Sequence, residues 1–422
     1  MRLNANYNTV VIGGGQAGLS ASVHLSRCGV DHVVLERDRV AESWRSQRWD
    51  NFCLVTPNWQ CTLPEFSYEH QYGGQDPDGF MKRDEIVRYI ESFRESKGLP
   101  VCEGVGVDQL SLHDDVFLLL LTTGDVVHAS NVVVATGGYH IPRIPAASQN
   151  IPKRITQIHS SQYKNASSLP DGDVLVIGTG QSGCQIAEDL HLEGKQVHLA
   201  VGSAPRAPRY YRGRDVTGWL VDMGAYRVTV DEHPMGADVR KKTNHYLTGR
   251  DGGREIDLRQ FAKEGMDLRG RFMRCDHDAF HFADDLADNL DNADAAAERI
   301  KKEIDKHILE MNLDCPTGDS YRPVWRPTSC DRSLSVTSVS SVVWCTGFRK
   351  DYRWIDIDVF DDCGEPVYQR GVSSVSGLYF LGLPWMHTWG SGRFSGVAAD
   401  AEHIIDHLVN RRLTTVSAGG CQ

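Results

Sequence analysis

VLVIGTGQSG, residues 174–183, decides the fold, because VVIGGGQAG at 10–18 has already spelled the same pattern. In each, an apolar run ends in glycines at GxGxxG spacing: Gly13, Gly15 and Gly18, then Gly178, Gly180 and Gly183. Such a pattern is weak alone and becomes specific in context. TVVI at 9–12 is an apolar, β-branched run. AGLSASVHLSRCGV then carries a helical apolar stripe through Leu19, Val23 and Leu25, and DHVVLE at 31–36 is a second strand. Glycines permit the tight turn and let a pyrophosphate rest on the helix N-terminus. Glu36, 18 residues beyond Gly18, ends that strand, where a carboxylate accepts hydrogen bonds from ribose hydroxyls.

The second copy repeats strand, turn and helix in DVLVIG, TGQSG and CQIAEDLHLEGK, followed by QVHLAV at 196–201. The counterpart of Glu36 is Val201, so no carboxylate there repels a 2′-phosphate. Ser203, Arg206, Arg209, Arg212 and Arg214 follow at once, and a guanidinium fork matches a phosphate. The first loop is therefore expected to hold FAD and the second NADPH rather than NADH. Ser203 and Arg206 lead as phosphate ligands, with Arg209 third. A solvated basic loop, or a nucleic-acid contact through RYYR, competes with phosphate binding for these arginines.

A chain of 422 residues exceeds one ordinary core. Its 41% hydrophobic and 24% charged residues are those of a soluble globular protein. A net charge of −11 argues against a nucleic-acid partner, which needs a basic face. VFLLLL at 116–121 is far short of a membrane span. The N-terminal MRLNANYN is polar and unlike a signal peptide, so a cytoplasmic location is expected. Eleven cysteines, odd in number and without CxxC spacing, fit reduced thiols and argue against a zinc site, a disulfide scaffold or a dithiol reductase. HDAFH at 277–281 lacks the acid of a zinc-protease motif, so no metal is expected. No GxSxG precedes a helix, which leaves a serine hydrolase unsupported.

NVVVATGGYHIPRIP at 131–145 and SVVWCTGFRKDYRWI at 341–355 are alike: an apolar strand, then Thr-Gly. SGLYFLGLPWMHTWGSGRFSGVAADAEHIIDHL at 376–408 gives a strand, a glycine-rich loop and a helix with Ile404, Ile405 and Leu408 on its buried side. With the two glycine loops, these segments resemble class B flavin-dependent monooxygenases, the group of flavin-containing monooxygenases, YUCCA enzymes and Baeyer–Villiger monooxygenases. The likeness covers nearly the whole chain, which is also similar to a bacterial branch of FAD/NAD(P)-binding oxidoreductases. HSSQYK at 159–164 fits the HxxxY form of the linking motif, while Lys153 and Ile155 stand where Phe and Gly belong.

The resemblance implies an α/β fold of two Rossmann-like dinucleotide-binding domains, the NADPH domain inserted in the FAD domain. Expected boundaries are 1–165 and 336–415 for the FAD domain, 166–335 for the NADPH domain with a helical insertion, and 416–422 as a tail. It implies that Trp44 sits against FAD, and that Gly382 and Ser395 lie at the flavin end, where a helix N-terminus favours negative charge. It implies hydride transfer from NADPH to flavin N5, addition of dioxygen at C4a, and passage of one oxygen atom from the hydroperoxyflavin to nitrogen or sulfur of a small molecule. An NADPH-dependent flavin reductase or oxidase, and a non-enzymatic redox sensor, stay open. No catalytic triad is expected, since the cofactors carry the chemistry. Trp385, His387 and Trp389, with Thr56 and Asn58, are candidates for the substrate pocket; core or interface packing is the alternative for the aromatic group. A homodimer is the expected assembly. DDLADNLDNADAAAERIKKEIDKHILEM at 284–311 is predicted as one packing helix.

Overall fold

The computed structural model describes residues 3–328 and 331–419, with side chains as far as Arg411. Strand Asn6–Ile12 is flanked in parallel by His32–Glu36 and by Val126–Val134. Val10, Val11, Val33 and Val34 are fully buried, the consequence of an apolar run in a sheet covered on both faces. Val101–Glu103 extends the parallel side. Val116–Leu121 and then Val107–His113 add antiparallel strands beside the first half of Val126–Val134. The second half of that strand pairs in parallel with Leu378–Phe380. The chain thus completes its first, ten-stranded sheet only near its C-terminus.

Between those visits it builds a second sheet of five parallel strands, in the order Thr156–His159, Val339–Trp344, Asp173–Ile177, Val197–Ala200 and Asp267–Arg269. Two Rossmann-like units, one inserted in the other, are therefore present as expected. The boundaries at 165 and 336 are corrected by strand pairing. Thr156–His159 and Val339–Trp344 pair with each other, Ile158 against Val343, so both belong to the inserted unit. An apolar strand looks the same whichever sheet it joins, and only the pairing tells. The two crossings then run side by side, with Ile141–Pro142 antiparallel to Phe348–Arg349.

Helix Leu286–Glu310 matches the predicted helix and buries Leu286, Leu290, Ile304 and Ile308. Helix Val397–Gly419 packs against helix Gln16–Arg27 through Ile404, Ile405 and Leu408, all buried. It runs into the stretch expected as a tail; residues 420–422 lie outside the described residues. Among the described residues no helix is long and apolar enough to cross a membrane.

Candidate active site

The two glycine loops share one geometry. Gly13 and Gly178 have φ of +114° and +105°, a region that disfavours a side chain. A Cβ on Gly13 would lie 2.6 Å from the carbonyl oxygen of Ala135, and one on Gly178 would lie 2.7 Å from that of Cys345. Ala135 and Cys345 each precede the Thr-Gly of a crossing. A Cβ on Gly18 or Gly183 would run into the carbonyl of Gly13 or Gly178, so these glycines press helix against strand. The middle glycines differ. Nothing lies within 4 Å of a Cβ on Gly15, and only Thr243 Cγ2, at 4.0 Å, on Gly180. The protein leaves open the place where a pyrophosphate would approach each helix N-terminus.

Around the first loop the residues fit FAD. Glu36 accepts from the backbone N–H of Gly14 at 2.6 Å and of Asp38 at 2.9 Å, and burial pushes its carboxyl above the usual range. The half-buried indole of Trp44 donates to Gln16 Oε1 at 3.2 Å and stacks on Phe394 at 5.9 Å. A Cβ on Gly382 would lie 2.6 Å from that of Ala17, which brings the C-terminal loop onto the first helix. Among the described residues, Thr136 Oγ1 and Ser395 Oγ are buried without a hydrogen-bond partner. Orphaned hydroxyls of this kind call for an explanation, and a flavin nucleotide spanning the loop would supply acceptors for both.

The second loop requires a correction. Arg206 is 3% exposed, and its guanidinium contacts Glu255 Oε1 at 2.9 Å and Asp294 Oδ1 at 2.8 Å while lying 4.1 Å over the ring of Tyr321. Arg209 is 1% exposed and is held by Asp215 and by the carbonyl of Val55, with its guanidinium over Phe80. Arg212 and Arg214 are paired with Asp305 and Asp222. Buried charges keep their carboxylates, so Arg206 and Arg209 pin loops to the long helix and to the first domain and present no free charge to a phosphate. Ser203 is exposed and stays available. Val201 is buried, its carbonyl accepting from Asn289 Nδ2 at 3.1 Å.

Asn58 is also corrected. It is 2% exposed, with its amide spent on the carbonyl of Asp76 at 2.9 Å and the N–H of Met81 at 2.7 Å. Its amide is spent on closing the 58–81 excursion. Thr56 is half-buried beside it.

Trp385, His387 and Trp389 lie on the loop between strand Leu378–Phe380 and helix Val397–Gly419. The insertion folds onto them, a contact that sequence reasoning missed because no local pattern announces it. Tyr226 stacks on Trp389 at 4.8 Å, and the Trp389 indole donates to Asn244 Oδ1 at 3.2 Å. The N–H of Val230 donates to the carbonyl of His387 at 2.6 Å, and Arg240 donates to that of Trp385 at 3.0 Å. Trp385 has φ of +53°, a conformation a bulky residue keeps only when its surroundings impose it. Thr243, next to Asn244, reaches Gly180. The insertion therefore bridges the flavin-side loop and the second glycine loop.

On the helix after the second loop, Asp189 accepts from Tyr163 Oη at 2.7 Å and Asn51 Nδ2 at 3.0 Å, and pairs with Arg250. Tyr163 of the HxxxY stretch thus fastens the linker to the helix that follows the second loop. His159 is buried, one ring nitrogen 3.0 Å from the carbonyl of Gly347. Among the described residues no group of His, Cys, Asp and Glu is placed to hold a metal, and the described cysteines are free.

Residues 10–223 match the pyridine nucleotide-disulphide oxidoreductase family. The chain belongs to that family. It is 31% identical to an oxidoreductase described as CzcO-like from Geobacillus kaustophilus, over 96% of this chain and 98% of the relative. The indole-3-pyruvate monooxygenase YUCCA1 of rice is 30% identical over 46% of this chain and 47% of its own. The flavin-containing monooxygenase of Stenotrophomonas maltophilia superposes with a TM-score of 0.64 at 19% identity, covering 97% of this chain and 99% of that one. The resemblance to class B flavin-dependent monooxygenases is borne out, and with it an oxidoreductase fold of two Rossmann-like domains.

Proposed function

We propose that this protein is an FAD- and NADPH-dependent monooxygenase that oxygenates a small organic molecule at nitrogen or sulfur. The observation that supports the proposal is the pair of equivalent glycine loops, open at Gly15 and Gly180, with one insertion touching both the second loop through Thr243 and the Trp389 loop through Asn244. Bound flavin and nicotinamide would supply hydride transfer and dioxygen activation. The chain's own part is binding, orientation and exclusion of water. Gly15 and Glu36 receive the flavin dinucleotide, and Gly180 and Ser203 receive the nicotinamide dinucleotide. Trp385, His387, Trp389 and Tyr226 line the space that remains. The family's description names a disulphide, but this chain has no CxxC, which favours oxygenation over disulfide reduction.

Stopped-flow mixing of the NADPH-reduced holoprotein with dioxygen tests this. A long-lived oxygen adduct of the reduced flavin supports the monooxygenase. Direct return to oxidised flavin with stoichiometric hydrogen peroxide makes it an oxidase, and failure of NADPH to reduce the flavin makes it a sensor. Product analysis with amines, thioethers and ketones then distinguishes nitrogen, sulfur and Baeyer–Villiger outcomes.

A further inference from the structure

Arg206, Arg209 and Arg259 are enclosed, and each has at least one carboxylate partner. Arg48 is half-buried and has none: among the described residues no carboxylate lies within 4.0 Å of its guanidinium. Its hydrogen bond runs from Nη1 to the carbonyl of the adjacent Gln47, at 2.9 Å. The guanidinium lies 5.2 Å from the ring centre of Trp44 and 5.6 Å from that of Phe52. Burial pushes its pKa down, whereas Arg206, desolvated as well, is held above its ordinary value by Asp294 and Glu255. A desolvated, unpaired cation is costly. In a chain with 56 acidic and 45 basic residues, the missing acid is a matter of placement rather than of supply.

The surroundings say where the anion comes from. Trp44 is tied to Gln16, next to Gly15, and stacks on Phe394 of the flavin-side loop. Trp49 meets Phe52 edge-on at 5.0 Å. Tyr139, whose charge would act on Arg48, belongs to the first crossing and packs against Phe348 of the second at 5.2 Å. The cation therefore lies among aromatic rings beside the first glycine loop, near where the crossings meet.

We propose that Arg48 is an oxyanion-binding residue beside the first glycine loop. It takes either the carboxylate of a small acid with an aromatic body or a phosphate of the nicotinamide dinucleotide. The aromatic surround favours the carboxylate, because flat rings flank the cation and would continue onto an aromatic ligand. The location rests on the proposed cofactor frame, while the chemistry with dioxygen plays no part in it.

Titration of the FAD-loaded wild type, Arg48→Gln and Arg48→Lys with NADP⁺, 3-phenylpropionate and 3-phenylpropionamide, read by flavin absorbance and by heat, tests the assignment. Arg48→Gln should weaken one of the two anions by about tenfold to a hundredfold, the scale of a charge-assisted hydrogen bond. Arg48→Lys should keep part of that affinity, and the amide should be unaffected. Weakening confined to the phenylpropionate assigns a carboxylate, and weakening confined to NADP⁺ assigns a phosphate. Unchanged affinity for both anions overturns the proposal, as does equal loss of the amide, or release of FAD from Arg48→Gln. Every readout is equilibrium binding, so a protein that proves to be an oxidase still answers the question.

Discussion

Arg206 Nε lies 2.8 Å from Asp294 Oδ1, 88 residues further along the chain. The contact makes the arginine a tie between a loop and the helix Leu286–Glu310. Arg206→Ala takes its cation from the partly exposed Glu255 and leaves Asp294 with Arg259 alone, which should cost about 1–3 kcal/mol of stability. The preference for NADPH over NADH should not move. Thermal unfolding and the ratio of kcat/KM for the two nucleotides measure both; a shifted ratio in a protein of native stability would return the phosphate to Arg206.

Structural and ligand-facing glycines separate in the same way. Gly13→Ala forces a Cβ to 2.6 Å from the Ala135 carbonyl at a φ of +114°, and should yield misfolded or FAD-free protein. Gly180→Ala meets only Thr243, at 4.0 Å. It should fold and retain FAD yet bind NADP⁺ about tenfold or more weakly, because the methyl occupies the pyrophosphate's approach. Flavin content and calorimetric titration of NADP⁺ decide the matter.

Glu188 sets a pH dependence. It is 1% exposed on the helix after the second loop, and burial raises its pKa from 4.5 to about 7, partly offset by Thr248 and Arg254. The folded state therefore holds this proton more tightly than the unfolded state does. The contribution favours folding at low pH and is lost as pH rises from 4.5 through about 7. Glu188→Gln removes the titration, so its stability relative to wild type should rise between pH 5 and pH 8, by up to about 3 kcal/mol. A difference in melting temperature that stays flat over this range would contradict it.

Trp389 is stacked on Tyr226 and bonded to Asn244, so it joins the insertion to the flavin-side loop. If the proposed oxygenation holds, Trp389→Ala should lower its kcat/KM at least tenfold and raise the yield of hydrogen peroxide per NADPH, since the proposed pocket loses a wall. Reduction of the flavin by saturating NADPH should stay within a few-fold of wild type. Peroxide assays and single-turnover reduction make the comparison.

The sequence by itself determined the two dinucleotide loops, the acid at Glu36 and its absence at Val201, the two Thr-Gly crossings and the long helix. Each is written in local spacing, where glycine φ, apolar period and strand length act over a few residues. Tertiary structure alone decided which sheet owns Thr156–His159 and Val339–Trp344, because pairing is non-local. It decided the fate of the arginines as well. RAPRYYRGR reads as a basic loop until Glu255, 49 residues on from Arg206, and Asp294 arrive to neutralise it. Arg48 shows the converse. In the sequence it is one arginine among many, and only the fold withholds an acid from it. A charge's role depends on what surrounds it after desolvation, and that is set by chain segments the local pattern cannot see.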